Sequence, residues 1–405
     1  MEPVGIIAAL DIGTSRVTAA VAEVGSSGSI TVVGVGFAPN AGMRAGVVID
    51  LDATSRAIRA AADSAESQSG YRIERAIVSV TGRHLESQTT SGQIAVRGAS
   101  REVTADDIAR VLEIAQAVEL PTTRELLHVL PGTYTLDGQD GVLSPLGMSA
   151  LRLEVRTHLV TGSAPAINNL AKAVRTAGIE PDELVAAPLA TAMATTTESE
   201  RHLGAAAINL GAGTTDIALY ANGAFSHLAS IPVGGEHVVK DVAVGLRLGL
   251  HDARRVVEEA GTVVIRPTAA DVTWIELPGM APIRRIDLAR IMEARLREMF
   301  ELAGREVASA SPESILGGVI LSGGIAAVTG AANLAADTLG TPARIAGEFS
   351  LEGLTDRLAG PGAATTTGLL HWGAATVEAA EEPASGVGAR VKGAVAALGR
   401  RFRRS

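Results

Sequence analysis

The sequence predicts a two-lobed α/β fold organised around a duplicated β-hairpin, and three observations carry that expectation. The stretch Ala205 to Gly223 (AAAINLGAGTTDIALYANG) has an apolar run, a glycine break and a second strand. The same design stands near the N-terminus, from Ile6 to Gly25 (IIAALDIGTSRVTAAVAEVG). At 405 residues the chain exceeds one ordinary domain, so two lobes with subdivisions are expected.

In the later hairpin the run Ala205 to Leu210 breaks at Gly211-Ala212-Gly213, after which Ile217, Leu219 and Ala221 alternate at strand period. Its tip offers consecutive backbone N–H groups and the hydroxyls of Thr214 and Thr215, an anion cradle of the nest type. No Gly-Lys-Ser/Thr follows and no helix opens after it, which excludes a Walker loop. A plain Gly-Thr turn would show the same pattern once. The second copy, Asp11 followed by Gly13-Thr14-Ser15, points instead to a duplicated domain holding one nucleotide between its halves, with Asp11 placed to hold a hydrated Mg²⁺.

Composition narrows the classes. A hydrophobic content of 47% with 45 glycines describes a globular chain. Cysteine is absent, which excludes a disulfide framework and Cys-ligated metal and fits a reducing compartment. The opening MEPVGIIAALDIG lacks a basic leader and reads as a strand, not a signal peptide, and no apolar run is long enough to span a membrane. The net charge of −9 is uneven, because 390–405 hold Arg390, Lys392, Arg400, Arg401, Arg403 and Arg404 and no acid. An acidic body with a basic tip implies a specialised tail. The few aromatics form no stacking platform, so no nucleic-acid partner is expected.

In chain order, the Asp11 hairpin is followed by a strand near Ser29–Phe37, a helix from Leu51 to Ser69 closed near Gly70, and a strand at Arg75–Val80. From 81 to 161 the texture changes to mixed strand, turn and helix (Ile94–Val96, Thr104 capping Ile108–Val118, His128–Leu136), which reads as an inserted subdomain. A helix at Ala164–Gly178, a strand at Leu184–Ala187 and a helix at Leu189–Thr195 complete the first lobe, 1–80 with 162–202. The second lobe continues past its hairpin with a strand at Phe225–Pro232 and the turn Gly234-Gly235. Helices near Glu236–Leu248 and His251–Glu259 follow, then a long amphipathic helix at Ile286–Ala308. The strand Gly318–Leu321 then ends in Ser322-Gly323-Gly324-Ile325, where the bare glycine backbone suits an adenine face or α-phosphate and equally suits a strand-to-helix turn. Helices at Val328–Leu339 and Thr365–Val377 close the body.

The segments LDIGTSR, INLGAGTTDIA, VILSGGIA and APLATAMA resemble the actin–Hsp70–sugar-kinase superfamily. Within it, GMRAGVVIDLDATSRAI (42–58), LHVLPGTYTLDGQDGVLSPLGMSALRLEVRTHLVTG (127–162), IPVGGEHVVKDVA (231–243) and GLTDRL…TTTGLLHWG (353–373) resemble the FtsA family of bacterial cell-division proteins. The resemblance implies an actin-like ATPase fold of four subdomains, with the insert at 81–161 replacing an actin subdomain. The second lobe then divides into 203–233 with 311–377 and a small subdomain at 234–310. It implies ATP and Mg²⁺ in the cleft, with Asp11, Gly13, Thr14, Ser15, Arg16, Asn209, Gly211, Gly213, Thr214, Thr215, Asp216, Gly235, Glu236, Lys240, Gly323, Gly324 and Ile325 around them. Asp11 is the metal residue and the candidate catalytic one, and Asp216 braces its hairpin or the metal. Implied partners are the FtsZ C-terminal tail, met by Arg284, Arg285 and Arg290, further copies of the chain in a filament, and other division proteins on the insert. The implied location is peripheral, on the cytoplasmic face of the cell membrane.

The chain departs from the family at the cleft. Asn209 stands where Asp is usual, Arg16 where Lys is common, and Ala187 where several actin-like relatives carry an acid that orients water. Binding with slow or negligible hydrolysis is therefore expected. No rival catalytic set appears: the eight histidines form no H-x-x-x-H pair and read as ordinary strand or surface residues, and no Gly-x-Ser-x-Gly elbow exists. The alternatives are a type IV pilus assembly adaptor of the same fold, a sugar kinase-type enzyme, and a structural protein that has lost its nucleotide.

The tail follows a tether at 378–386. At about 100° per residue, Val387, Val391, Val395, Leu398 and Phe402 fall within an arc of roughly 80°, with the cations on the other side. That is the pattern of an interfacial membrane helix over 387–405, attracted to anionic lipid and strengthened by avidity in a polymer. A basic solvated tail is the plainer reading of the same residues.

Overall fold

The computed structural model describes residues 3–98, 100–265, 273–310, 315–347 and 349–381, and of 378–381 the backbone alone. The membrane helix expected at 387–405, and most of the tether before it, lie outside the described residues.

The first lobe is built on the N-terminal hairpin, β1 (Gly5–Ile12) and β2 (Arg16–Val24), extended antiparallel by β3 (Ile30–Pro39). A small hairpin, β4 (Met43–Arg44) with β5 (Val47–Val48), leads into α1 (Leu51–Ser69). The Asp50 carboxylate caps α1 by accepting from the Ala53 N–H, and Gly70 ends the helix in the left-handed conformation at φ 73°. Ile58, Ala61, Ala62 and Ala65 face the sheet. Gly36 on β3 permits the close fit, since a Cβ there would stand 1.9 Å from the Ala61 carbonyl oxygen. The parallel strand β6 (Arg75–Val80) joins β1.

Between β6 and its parallel neighbour the chain builds a separate layer: β7 (Glu86–Ala95), α2 (Ala105–Gln116), β8 (Arg124–Leu136), β9 (Gln139–Val142) and β10 (Arg152–Ser163). The four strands form one antiparallel sheet in the order β7-β10-β8-β9, and α2 lies on it with its own core of Val111, Leu112, Tyr134, Leu153 and Val155. Thr104 and Asp107 close a reciprocal capping box at the start of α2. Arg124 staples the base of this insert, donating to the Thr161 hydroxyl and the His84 carbonyl and pairing with Glu86.

The chain re-enters the first lobe through α3 (Ala164–Thr176) and β11 (Glu180–Ala186), then passes through α4 (Ala187–Thr195) and α5 (Glu198–Leu203). The second lobe repeats the first. Its hairpin β12 (Ala205–Leu210) and β13 (Thr215–Ala221) is extended antiparallel by β14 (Ala224–Ile231). Around it come α6 (Gly235–Gly245), α7 (Leu250–Ala260), the short pair β15 (Trp274–Ile275) and β16 (Ile283–Arg284), and α8 (Arg285–Ala310). The parallel strand β17 (Val319–Ser322), α9 (Ala331–Leu339) and the parallel strand β18 (Ala343–Ile345) follow. The order β14-β13-β12-β17-β18 matches β3-β2-β1-β6-β11 in both sequence of joining and strand direction. The duplication expected from the two glycine breaks is therefore a duplication of whole sheets.

Two elements differ from the expected division, which placed all of 311–377 in the second lobe. β19 (Glu352–Gly353) pairs with β3, and α10 (Ala364–Glu381) packs on β1, β2 and β6. Leu369, Leu370, Trp372 and Ala374 thus belong to the first-lobe core. α10 also runs on to Glu381, into the expected tether, because Glu378, Ala379, Ala380 and Glu381 are good helix formers and Pro383 is the first breaker. α10 crosses α4, which in turn packs on β12 and β13, so this helix pair joins the two sheets. Their backbones touch: a Cβ at Gly368 would stand 1.8 Å from the Ala190 carbonyl oxygen.

Two outcomes are expected. Gly368→Val should force α10 off α4 and lower stability by at least about 1–3 kcal/mol, the usual cost of overpacking, read by thermal or urea melts. Acid should also destabilise the fold through two buried strand histidines. Burial pushes His128 and His158 from 6.5 down to about 4, so both stay neutral in the folded chain while the unfolded chain protonates. Their contribution is complete above about pH 6.5 and is lost as pH falls toward 4, an effect of a few kcal/mol. His128→Gln, which keeps an acceptor for the Ala186 N–H, should flatten that acid limb in melts run from pH 7.5 to 4.5.

Candidate functional site

Both hairpins end in the same turn. Gly13 donates its N–H to the Arg16 carbonyl at 3.0 Å, and Gly211 donates to the Thr214 carbonyl at 2.9 Å. The two tips meet at the mouth of a cleft of about 970 Å³ between the lobes, a size suited to a small-molecule ligand. They touch there, since a Cβ on Gly213 would stand 2.5 Å from the Thr14 hydroxyl. Thr14 is held in turn by accepting from the Gly46 N–H at 3.2 Å.

Asp11 lies on the cleft floor. The Ser79 hydroxyl accepts from the Ile12 N–H and donates to the Asp11 carboxylate at 2.9 Å, which fixes its rotamer. Burial raises the Asp11 carboxyl above the ordinary 3.8, against the opposing pull of the Ser79 and Thr366 hydroxyls and the Arg16 charge. A carboxylate in that state gains from a nearby cation. Arg16 lines the same wall, its guanidinium 5.0 Å from the Phe37 ring centroid.

Asp216, the carboxylate of the second hairpin, is nearly sealed off at 2% exposure. It accepts from Ser230 at 2.6 Å and from Thr81 at 2.9 Å to each oxygen. Burial raises its carboxyl too, opposed by these hydroxyls and by hydrogen bonds from Thr214 and Asn209. Of the two expected roles, the geometry gives Asp216 the brace. Asn209 is its cross-strand partner, and its amide also accepts from Ser322 at 3.3 Å. The neutral amide thus stands opposite the carboxylate without adding a second charge.

Most of the expected residues line this one cleft. Asp11, Gly13, Thr14, Ser15, Arg16, Asn209, Gly211, Gly213, Thr214, Asp216, Gly235, Glu236, Gly323, Gly324 and Ile325 all do, as does Ala187. Gly323, at φ 88°, lies so close to the hairpin that a Cβ would stand 2.3 Å from the Leu210 carbonyl oxygen. Two residues are placed otherwise. Thr215 is buried with its hydroxyl donating to the Val233 carbonyl at 2.8 Å, so it ties the hairpin to the turn before α6. Lys240 is exposed, one turn along α6, outside the lining. Residues the sequence reading passed over include Thr81 and Asn40 beside the first hairpin, and Arg254, Glu258 and Thr329 at the far end. Arg254 and Glu258 share one face of α7, a pattern that any solvated helix also shows. Among the described residues no group of three or more His, Cys, Asp or Glu side chains could hold a metal alone. One carboxylate plus a ligand's phosphates is the usual arrangement for Mg²⁺, and Asp11 with the glycine-lined walls fits that group.

The surface expected to meet a partner lies elsewhere. Arg284 pairs with Asp287 at 3.8 Å, Arg285 reaches the Thr262 hydroxyl at 3.5 Å, and Arg290 is exposed. Trp274, half exposed, is the cross-strand partner of Arg284.

Comparison with known proteins agrees with this geometry. The family profile "SHS2 domain inserted in FTSA" matches 82–161, and "Cell division protein FtsA" matches 206–368. Curated FtsA of Pseudomonas aeruginosa is 38% identical over 374 residues, 91% of this chain and 89% of its own length. FtsA of Bacillus subtilis is 36% identical, over 83% of this chain and 77% of its own, and that of Escherichia coli K12 is 32% identical over 91% and 90%. Among solved structures, a PilM-PilN type IV pilus biogenesis complex superposes with a TM-score of 0.60 at 17% identity, covering 90% of this chain and 97% of that one. MreB5 of Spiroplasma citri bound to ADP gives 0.55 at 14%, covering 93% and 99%. These two likenesses establish the actin-like ATPase fold and nothing finer.

The pairing of Asn209 with Asp216 yields a further expectation. Asn209→Asp should set two carboxylates opposite each other inside the cleft and cost about 1–3 kcal/mol at neutral pH. The loss should shrink as pH falls or as Mg²⁺ is added. A variant as stable as the parent at pH 8 without cation would show that the amide is not needed there.

Proposed function

We propose, from the premise that this chain belongs to the FtsA family of cell-division proteins, that it is an ATP-binding filament former that tethers FtsZ filaments to the cytoplasmic face of the cell membrane. The observation that carries the reading is the pair of like hairpins closing on one cleft, in a chain related to FtsA over about nine-tenths of its length.

In this reading the glycine tips around Gly13, Gly211 and Gly213 let phosphate oxygens reach backbone N–H groups, and Thr14, Ser15 and Thr214 add hydroxyl donors. Asp11, aimed by Ser79, faces a hydrated Mg²⁺, and Arg16 offsets phosphate charge. ATP with Mg²⁺ would supply the charges the cleft is shaped to receive. Ala187 offers no side chain to activate water, and Asp216 is engaged by two hydroxyls, so ATP acts as an assembly ligand more than as fuel. The same engagement weighs against a sugar kinase, which needs a carboxylate free to take a proton from a hydroxyl.

The FtsZ tail, an acidic and hydrophobic peptide, fits the cations at Arg284, Arg285 and Arg290 beside the exposed Trp274. Other division proteins would meet the inserted subdomain. Among the described residues no helix is long and apolar enough to cross a membrane. Membrane attachment is therefore assigned to 387–405, with Val387, Val391, Val395, Leu398 and Phe402 entering the lipid and Arg400, Arg401, Arg403 and Arg404 facing anionic headgroups.

Two measurements on the full chain test this. Calorimetry with Mg-ATP should show affinity reduced at least tenfold by Asp11→Ala, and by Gly213→Val, whose Cβ pushes the hairpin tips apart, with turnover in the parent below about 1 per second. Unchanged affinity in both variants sinks the cleft. Deleting 387–405 should abolish sedimentation with anionic vesicles while ATP binding persists, and vesicle binding that survives the deletion removes the tail from its role.

A further inference from the structure

The inserted subdomain enters and leaves from the first lobe, yet it also meets the second, and the residues where it does so connect back to the cleft. Thr81, directly after β6, donates its hydroxyl across the cleft to both oxygens of Asp216 on β13. Ser230 on β14 donates to the same carboxylate at 2.6 Å. Two positions earlier on β14, the Leu228 N–H donates to the Ser87 hydroxyl at 3.0 Å, and Ser87 lies on β7, the first strand of the insert. β14 is an edge strand of its sheet, so Ser87 supplies the acceptor that a neighbouring strand would otherwise provide. Phe225, further along β14, sits edge-on to Tyr220 of β13 at 5.7 Å and to His158 of the insert's β10 at 6.3 Å.

We propose that Asp216 is the hub through which occupancy of the cleft sets how firmly the inserted subdomain is held against the second lobe. This rests on the nucleotide reading above and adds a route to it. Coupling requires a ligand that interacts differently with the two arrangements, and Thr214 provides that difference. Its hydroxyl lies 3.4 Å from that of Thr81, which donates to Asp216, and it lines the cleft. A phosphate group at the hairpin tip takes the Thr214 donor for itself. Thr81, no longer shared with Thr214, is then left to the buried carboxylate, which it and Ser230 satisfy, because leaving that group short of donors is costly. Both remaining bonds lead to the insert, one through the chain leaving Thr81 and one through β14 to Ser87. An occupied cleft therefore draws the insert onto β14. The surface that the insert presents to other proteins then depends on the cleft, with no contact between the two.

Hydrogen exchange on the full chain, with and without Mg²⁺ and a non-hydrolysable ATP analogue, tests this. In the parent, the analogue should slow exchange in 205–221 and also, by about fivefold or more, in 86–95 and 152–163 of the insert. In Ser87→Ala, which lies outside the cleft lining, the response of 205–221 should persist while that of the insert is lost. Thr81→Val should lose the insert response and Thr81→Ser should retain it. Absence of any response at 205–221 in the parent overturns the nucleotide reading, and the proposal with it. A cleft response without an insert response in the parent overturns the coupling alone. So does an insert response that survives both Ser87→Ala and Thr81→Val.

Discussion

The structure depends first on the crossing of α4 and α10 at Ala190 and Gly368. The first-lobe sheet carries α10, the second-lobe sheet carries α4, and the two helices meet with no side chain between their backbones at that point. The Thr191 and Thr365 hydroxyls, 2.9 Å apart, pin the same pair near the start of α10. A contact this close allows little sliding, because protein interiors are packed at crystal-like density. The lobes are thus held at a separation that brings both hairpin tips to one mouth, where Gly213 rests on Thr14. At this crossing the backbones of α4 and the first-lobe helix α10 approach so closely that a Cβ on Gly368 would stand 1.8 Å from the Ala190 carbonyl oxygen.

Charge is arranged around that cleft with the same economy. Two carboxylates, the half-buried Asp11 and the buried Asp216, stand within reach of one ligand site, and desolvation raises both. Each is met by hydroxyls: Ser79 for Asp11, Ser230 and Thr81 for Asp216. Hydroxyls stabilise a carboxylate without cancelling its charge, so the site keeps its appetite for a cation at Asp11. At Asp216 the donors come from different elements, which turns a local need for hydrogen bonds into a tie between lobes.

The sequence made some of this legible and hid the rest for physical reasons. Glycine breaks in apolar runs expose a hairpin directly, so both hairpins and the strand that follows each could be read. Asp50, Thr104 and Gly70 are capping residues whose chemistry is local, and α1 and α2 start or end where those residues stand. The strand β10 carries no single period, because RLEVRTHLVTGS is buried on one face in its first half and on both faces from Thr157 to Gly162, where Thr157, His158 and Thr161 are polar. The destination of β19 and α10 was also hidden, since chain order does not tell which sheet a late strand rejoins. Asn209 is the instructive case. Read alone it is a lost charge, yet the register that follows from the Gly211 to Thr214 turn sets it opposite Asp216, and that pairing explains the amide.

The last step concerns α10, which links the cleft to the far end of the chain. Thr365 lines the cleft and Thr366 reaches Asp11, so the first turn of the helix belongs to the site. Its last described side chain, Val377, packs against Gly5 at the start of β1. The helical rise from Thr365 to Val377 sets these two ends about 18 Å apart. Because Leu369, Leu370 and Trp372 are buried in the first lobe along the way, and the Trp372 indole donates to Glu183, the helix cannot lengthen, bend or rotate freely. The described end of α10 is consequently held at a fixed point on the first lobe.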